Sequence, residues 1–332
     1  MTDIAARLTV EEMPAGSKRM ESVYDAVRTY AILLTLLILV AAVQLGNPTF
    51  LSGPNVMNML SQWAPAGIIA AGMTYVALAG GFDLSIASAF SLCAVVAAVV
   101  GQFFDPGFAF MAAIGAGIFV GAVNGFFVAK IGINPYITTV GIGFILNGLA
   151  LLLTDNAAFM VSNPAFGDLG TGRLFGVPYS GILLVATLVL LQVVLWRTVY
   201  GEVIYAVGGN YEASWLSGIR VKLVVASTYM LVGACYGLAG SITASQLSSA
   251  QANMDASIIF DVLTIVVVGG TSLGGGSGAV WRTAVGIAII ATITNGFVLL
   301  DISPYYQSII KGAIIVSALS LDVFFGKLSS KQ

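Results

Sequence analysis

The feature that most constrains this chain is a succession of apolar segments, most of them long enough to cross a lipid bilayer. A membrane-spanning helix takes about 20 mainly apolar residues. Such segments recur near 30–46, 56–80, 84–101, 107–130 and 134–154, and again near 179–196, 223–245, 258–270, 280–300 and 305–325. The stretches 84–101 and 258–270 are short. The second fits a re-entrant or broken helix, which membrane depth tolerates only where protein or a water-filled cavity shields the backbone. The expected fold is an all-α integral membrane protein with about ten transmembrane helices.

Composition closes off other classes. The 332 residues are 58% hydrophobic and 8% charged, too little polar surface for a soluble protein of this size. A net charge of −2 is no footprint for nucleic acid, which leaves membrane lipid as the surrounding partner. There is no histidine, so the commonest general base, metal ligand and proton relay is missing. Cys93 and Cys235 each lie in an apolar run and read as small core residues. No catalytic, cofactor-binding or metal-binding residues are expected.

The placement of cations sets the expected orientation. With both ends cytoplasmic and an even number of spans, Arg7, Lys18, Arg19, Arg28, Lys130, Arg197, Arg220, Lys222, Arg282, Lys327 and Lys331 fall inside, and Arg173 falls outside. Cytoplasmic loops carry such an excess of Lys and Arg. Residues 1–29 are polar and of mixed charge, lack a signal-peptide core and are expected to form a cytoplasmic lead. The membrane domain is then 30–325, with 326–332 a cytoplasmic tail. The longest external connection, 155–178, reads either as a structured loop that meets an extracytoplasmic partner or as a plain connector.

Two stretches echo each other. Asn124-Gly125-Phe126 leads to Pro135-Tyr136, and Asn295-Gly296-Phe297 leads to Pro304-Tyr305. On this topology the two run in opposite directions, as in an inverted internal repeat of the kind that transport folds use to frame a pathway. Gly117, Gly121 and Gly125 share one helix face, and Gly233 and Gly237 another. Small residues so spaced let helix backbones approach closely in lipid.

The most informative stretch outside the spans is 197–222. It reads as two short helices around Gly208-Gly209-Asn210, with Asn210 capping a second helix from Tyr211 to Ser217, Glu212 in its first turn, and Gly218 ending it in a left-handed conformation. A capped knob of this kind under the membrane suits a cleft in a soluble subunit; the alternative is a helix lying in the headgroups. Gly80-Gly81 and Gly269-Gly270 end apolar runs and can free backbone groups near a pathway or its mouth. Asp83 can accept from the first amides of the following helix, or serve a gate. Gly274 to Gly278 is no nucleotide loop, because no Gly-Lys-Ser or Gly-Lys-Thr follows. Any energy from ATP must enter through another subunit.

These segments resemble those of ribose-type ATP-binding-cassette importer permeases. The loop Gly201-Glu202, Ala206 to Asn210, Glu212-Ala213 and Leu216 to Ile219 is similar to that family's ATPase-contacting loop. Gly80-Gly81-Phe82-Asp83-Leu84-Ser85 resembles its Gly-Gly-Ile-Asp-Leu-Ser segment, and Val268 to Leu273 with Gly275, Gly276 and Gly278 resembles its second glycine-rich turn. Asn295-Gly296 and the ending Tyr305-Tyr306-Gln307 through Lys311-Gly312 to Asp322 match as well. Ala87 and Arg282 depart from the pattern, which usually has glycine and a small residue there. The resemblance implies a coupling loop over 201–219 that uses Gly208, Gly209, Asn210, Glu212, Ala213, Ser217 and Gly218. It also implies an ABC ATPase partner, an extracytoplasmic solute-binding protein and a second permease copy, with the pathway between the copies.

Polar residues within the spans are mostly neutral. Asn124, Asn147 and Asn295, with Phe144, Tyr305 and Tyr306, are candidates to pass an uncharged polyhydroxyl solute such as a monosaccharide. The alternative for each is helix-to-helix hydrogen bonding or packing. Asp261 and Lys311 are ionisable residues within predicted spans, where charge is costly and tends to mark a pathway. A branched-chain amino-acid permease is the near alternative and would favour fixed charges in the pathway. An ion-driven secondary transporter would need carboxylates or cations at mid-membrane, and a membrane enzyme a clustered nucleophile and base.

Overall fold

The computed structural model describes residues 15–303 and, beyond them, the pairs 305–306, 309–310, 312–313 and 316–317. Residues 1–14, Pro304, Gln307, Lys311, Asp322 and the tail 326–332 lie outside the described residues. The chain is helical almost throughout. Its order is α1 (Ala15–Gly46), α2 (Gly53–Leu78), α3 (Ile86–Phe103), α4 (Pro106–Gly125) continued by a π-helical turn (Phe126–Ile131), α5 (Pro135–Leu153), β1 (Phe159–Met160), α6 (Pro164–Thr171), β2 (Arg173–Leu174) and β3 (Val177–Pro178). Then come α7 (Tyr179–Arg197), α8 (Val199–Gly209), α9 (Tyr211–Leu216), α10 (Val221–Leu247), β4 (Ser249–Ala250), α11 (Ile258–Val268) and α12 (Val280–Leu299).

Local chemistry explains where these helices begin. Three start on an acceptor side chain followed by proline: Asp105-Pro106, Asn134-Pro135 and Asn163-Pro164. In each the side-chain oxygen accepts from the backbone amide two residues on, at 2.8, 2.9 and 3.2 Å. The proline occupies a position whose amide would have no helical partner.

Six described helices, counting α4 with its π-helical turn as one, are long and apolar enough to cross a membrane, from Ile86–Phe103 to Val280–Leu299. The apolar part of α1, Tyr30–Gly46, and α11 are shorter. This is an all-α membrane protein. The first apolar segment is continuous with the helix that starts at Ala15, inside the expected lead.

The core forms around α2 and α10. Every residue of α2 from Trp63 to Leu78 is buried, and α2 packs on α7, α10, α11 and α12. α10 also packs along α3 and α4. The α4–α10 contact is the closest, for the reason that the glycine spacing suggested. A Cβ at Gly117 would fall on the Gly233 carbonyl, one at Gly121 on the Tyr229 carbonyl, and one at Gly125 within 2.8 Å of the Ala226 Cα.

The two ends of this bundle differ. At one end α8 lies against the C-terminal end of α2, and α9 packs on α8 and α10. At the other, the 155–178 connection is structured: Phe166 of α6 is fully buried, Gly170 donates to Ser245 Oγ at 2.7 Å, and β1 pairs with β4 through Phe159 and Ala250. Asn124 lies towards the α8 end, and Asn295 pairs with Asn55 near the start of α2, at the far end.

Candidate functional site

The α8–α9 segment is built from caps. Thr198 Oγ1 accepts from Gly201 N at 3.4 Å to start α8, and Asn210 Oδ1 accepts from Ala213 N at 2.9 Å to start α9. Ser217 Oγ donates back to the Ala213 carbonyl at 2.8 Å, and Gly218, at φ 84°, ends the turn. Glu212, Ala213, Ser217 and Gly218 are exposed, as are the large side chains Tyr211, Trp215 and Leu216. The result is a capped knob, exposed at the surface of the chain, with an apolar face.

The root of this knob meets both glycine turns. A Cβ at Gly208 would fall on the Leu78 carbonyl oxygen and within 2.6 Å of Gly276 N. Gly276 N itself donates to the Leu78 carbonyl at 2.9 Å. A Cβ at Gly275 would come within 2.6 Å of Gly208 O and 3.1 Å of Gly80 Cα. Three backbones therefore touch at one point. Gly80, Gly270, Gly275 and Gly276 all have positive φ there, between 71° and 93°, which only glycine adopts without strain. Tyr205 Oη of α8 ties the second turn down by donating to the Gly278 carbonyl at 2.6 Å. Burial pushes the Tyr205 phenol up from its usual range, with the nearby Arg282 charge acting in the opposite direction.

The first turn continues into a buried carboxylate. Asp83 is fully buried and receives four hydrogen bonds: from Ser85 N (2.7 Å), Ser85 Oγ (2.6 Å), Tyr236 Oη (2.9 Å) and Asn124 Nδ2 (3.3 Å). Tyr229 Oη donates to the Phe82 carbonyl at 2.9 Å, and Leu84 N donates to Thr139 Oγ1 at 2.9 Å. The six residues from Gly80 to Ser85 are thus held by α4, α5 and α10 together. A displacement of the turn must be shared by all three helices, since a buried polar group that loses its partner costs about 1–3 kcal/mol.

The sequence candidates for a pathway occupy separate places. Asn124 belongs to the Asp83 cluster. Asn147 donates to Asn253 Oδ1 at 2.6 Å, and Asn295 exchanges amide hydrogen bonds with Asn55 at 2.9 and 3.1 Å. Phe144, Tyr305 and Tyr306 face outward from the chain. Asp261 is buried in the first turn of α11, where it lines a half-open cavity.

The family profile described as branched-chain amino acid transport system / permease component matches residues 55–319. The chain belongs to that family. The permease is 38% identical over 319 residues to a ribose import permease protein of Bacillus subtilis, which covers 95% of this chain and 98% of that one. It is 35% identical over 317 residues to a galactose/methyl galactoside import permease protein of Escherichia coli, with 88% and 93% covered. It is 33% identical over 294 residues to an L-arabinose transport system permease protein of Escherichia coli, with 88% and 90% covered. No solved structure matches the permease.

Two sets of residues in this permease escaped the reading of its sequence. Tyr229 and Tyr236 anchor the Asp83 turn, and the signal for them was a phenol in an otherwise apolar helix, which when buried needs a partner. Leu78, whose carbonyl receives Gly276 and touches Gly208, gave no signal because the contact is entirely backbone.

Proposed function

We propose that this permease forms the membrane pathway of an ATP-driven importer for a monosaccharide, with ribose the first candidate. The observation that carries this reading is the end-to-end match to proteins named as ribose, galactose and arabinose permeases. The family description favours a second reading, a branched-chain amino acid as solute. We prefer the sugar because that description is a family's and these matches are whole-chain relatives'.

In this reading the membrane domain is 30–325, the lead 1–29 and the tail 326–332 are cytoplasmic, and about ten spans form with an inverted repeat. The α8–α9 knob, with Gly208, Gly209, Asn210, Glu212, Ala213, Ser217 and Gly218, docks into an ABC ATPase subunit. The apolar exposure of Trp215 and Leu216 supports this, since such residues are common anchors in a partner's cleft. Motion of the knob is passed through Gly208 to the turns Gly80-Gly81-Asp83 and Gly269-Gly270, which then act as gates. The structured 155–178 connection meets an extracytoplasmic binding protein, and a second permease copy completes the pathway. Outward-facing Phe144, Tyr305 and Tyr306 then contact either that copy, the solute between copies, or lipid.

The test is to tag the chain in its native membrane, identify what co-purifies, and measure uptake of radiolabelled ribose before and after deletion of the gene. A co-purifying ATPase with a Walker motif and uptake that stops on deletion is the expected result. A lone chain whose uptake follows an ion gradient overturns the reading.

A further inference from the structure

Two cavities adjoin at the end of the bundle away from Gly208. The inner one, about 330 Å³, lies among α2, α3, α10, α11 and α12, and its wall includes Trp63, Phe90, Asp261 and Thr294. The outer one, about 430 Å³, opens beside Arg173 of the 155–178 connection. They share Gln62 and Gln246.

The boundary between them is polar by construction. Pro65 has no amide hydrogen, so the Ser61 carbonyl lacks its helical donor. Gln246 Nε2 turns towards Ser61, 3.1 Å from its Oγ and 3.5 Å from its carbonyl oxygen. The half-buried Gln246 and the exposed Gln62 both line this boundary with their side-chain amides. Thr294 Oγ1, on the wall of the inner cavity, is buried without a hydrogen-bond partner among the described residues. A wall that pairs two aromatic side chains with two carboxylates (Asp255 and Asp261), two hydroxyls (Thr243 and Thr294) and amides matches a molecule with hydroxyls around its edge and C–H groups on its face.

Asp261 gives this wall a link to the junction. It sits in the first turn of α11, and α11 ends at Val268, directly before the turn whose Gly275 and Gly276 touch Gly208. One helix of 11 residues joins the cavity to the root of the α8–α9 knob.

We propose that the inner cavity is a transit site for an uncharged polyhydroxylated ring, in which Asp261, Thr294 and Gln246 take its hydroxyls and Trp63 and Phe90 its C–H face. These residues then set which sugars pass, independently of the binding protein that captures them. The inference rests on the sugar-permease reading above.

The experiment uses cells that carry the complete importer with its own ATPase and binding protein, comparing the wild-type chain with Asp261→Asn, Gln246→Ala and Thr294→Val. Uptake of radiolabelled ribose is measured against unlabelled arabinose, galactose and ribitol as competitors. The expected result is a fall in maximal ribose uptake of about ten-fold or more for Asp261→Asn, and an altered order of competitors for the other two, with the complex assembled in normal amount. Thr294→Cys provides a readout that does not depend on those variants: a water-soluble thiosulfonate is expected to modify it, more slowly when ribose is transported. Unchanged uptake and competitor order, together with modification that ribose does not slow, overturn the inference while the sugar-permease reading stands. Sodium-dependent uptake that Asp261→Asn abolishes overturns it as well, assigning Asp261 to a cation. Absence of any monosaccharide uptake by the wild-type importer overturns the sugar-permease reading itself.

Discussion

The Cα of Gly208 lies against the carbonyl oxygen of Leu78, so close that a methyl group at residue 208 would overlap that oxygen. The neighbouring glycine is different, because a Cβ at Gly209 would meet nothing within 4 Å. Gly208→Ala must therefore push α8 off the two glycine turns, at a cost of about 1–3 kcal/mol for overpacking, and we expect ribose uptake to fall about ten-fold while ATP hydrolysis continues. Gly209→Ala is expected to leave the fold within about 0.5 kcal/mol of wild type. Paired transport and ATPase assays on the purified complex check both; equal sensitivity at the two positions would contradict the wedge.

The Asp83 cluster makes a prediction about stability. Tyr236→Phe deletes one of its four donors and should destabilise the chain by about 1–3 kcal/mol. Asp83→Asn should cost at least as much, because an amide presents a donor where the carboxylate accepts from Tyr236 or Ser85. Since both act on one network, the double variant should fall short of the sum. Thermal unfolding in detergent, followed by tryptophan fluorescence, reads all three values.

Helix proximity can be tested on α4 alone. Gly117→Leu places a side chain into the backbone of Gly233 and should separate α4 from α10, lowering the yield of folded protein sharply. Gly115→Leu, two residues away where a Cβ meets nothing within 4 Å, should behave as wild type. Size-exclusion profiles after detergent extraction distinguish the two outcomes.

The Asn55–Asn295 pair separates packing from solute contact. If the exchange of amides is structural, Asn55→Ala and Asn295→Ala should show a coupling energy of about 0.6–2 kcal/mol in a double-variant cycle, with no change in the order of competing sugars. A changed order at Asn295→Ala alone would return that residue to the pathway.

Much of this arrangement was legible in the residues before any coordinates. Apart from the first, whose helix begins fifteen residues early at Ala15, the apolar runs up to residue 300 fall on helices with ends displaced by only a few positions, because length and hydropathy decide them. The caps at Asn210 and Gly218 were equally readable, being local hydrogen-bond chemistry. What could not be read was juxtaposition. Nothing along the chain says that residues 78, 208 and 276 meet, for their contact uses carbonyls and amides that every residue owns. The same holds for the cavity: Gln62, Gln246 and Thr294 are ordinary polar residues in apolar helices until α2, α10 and α12 are placed side by side.

The short α11 has a consequence for how much must move during transport. Asp261 borders the inner cavity and Gly269 begins the turn at the α8 end, and eight residues of helix rise only about 12 Å. The stretch between them carries the fully buried Val262, Ile265 and Val266. In the transport reading proposed above, the dry partition along this helix is then these two turns rather than the full ~30 Å of hydrocarbon. In that reading the partition is thin enough for the displacement of one short helix to open it.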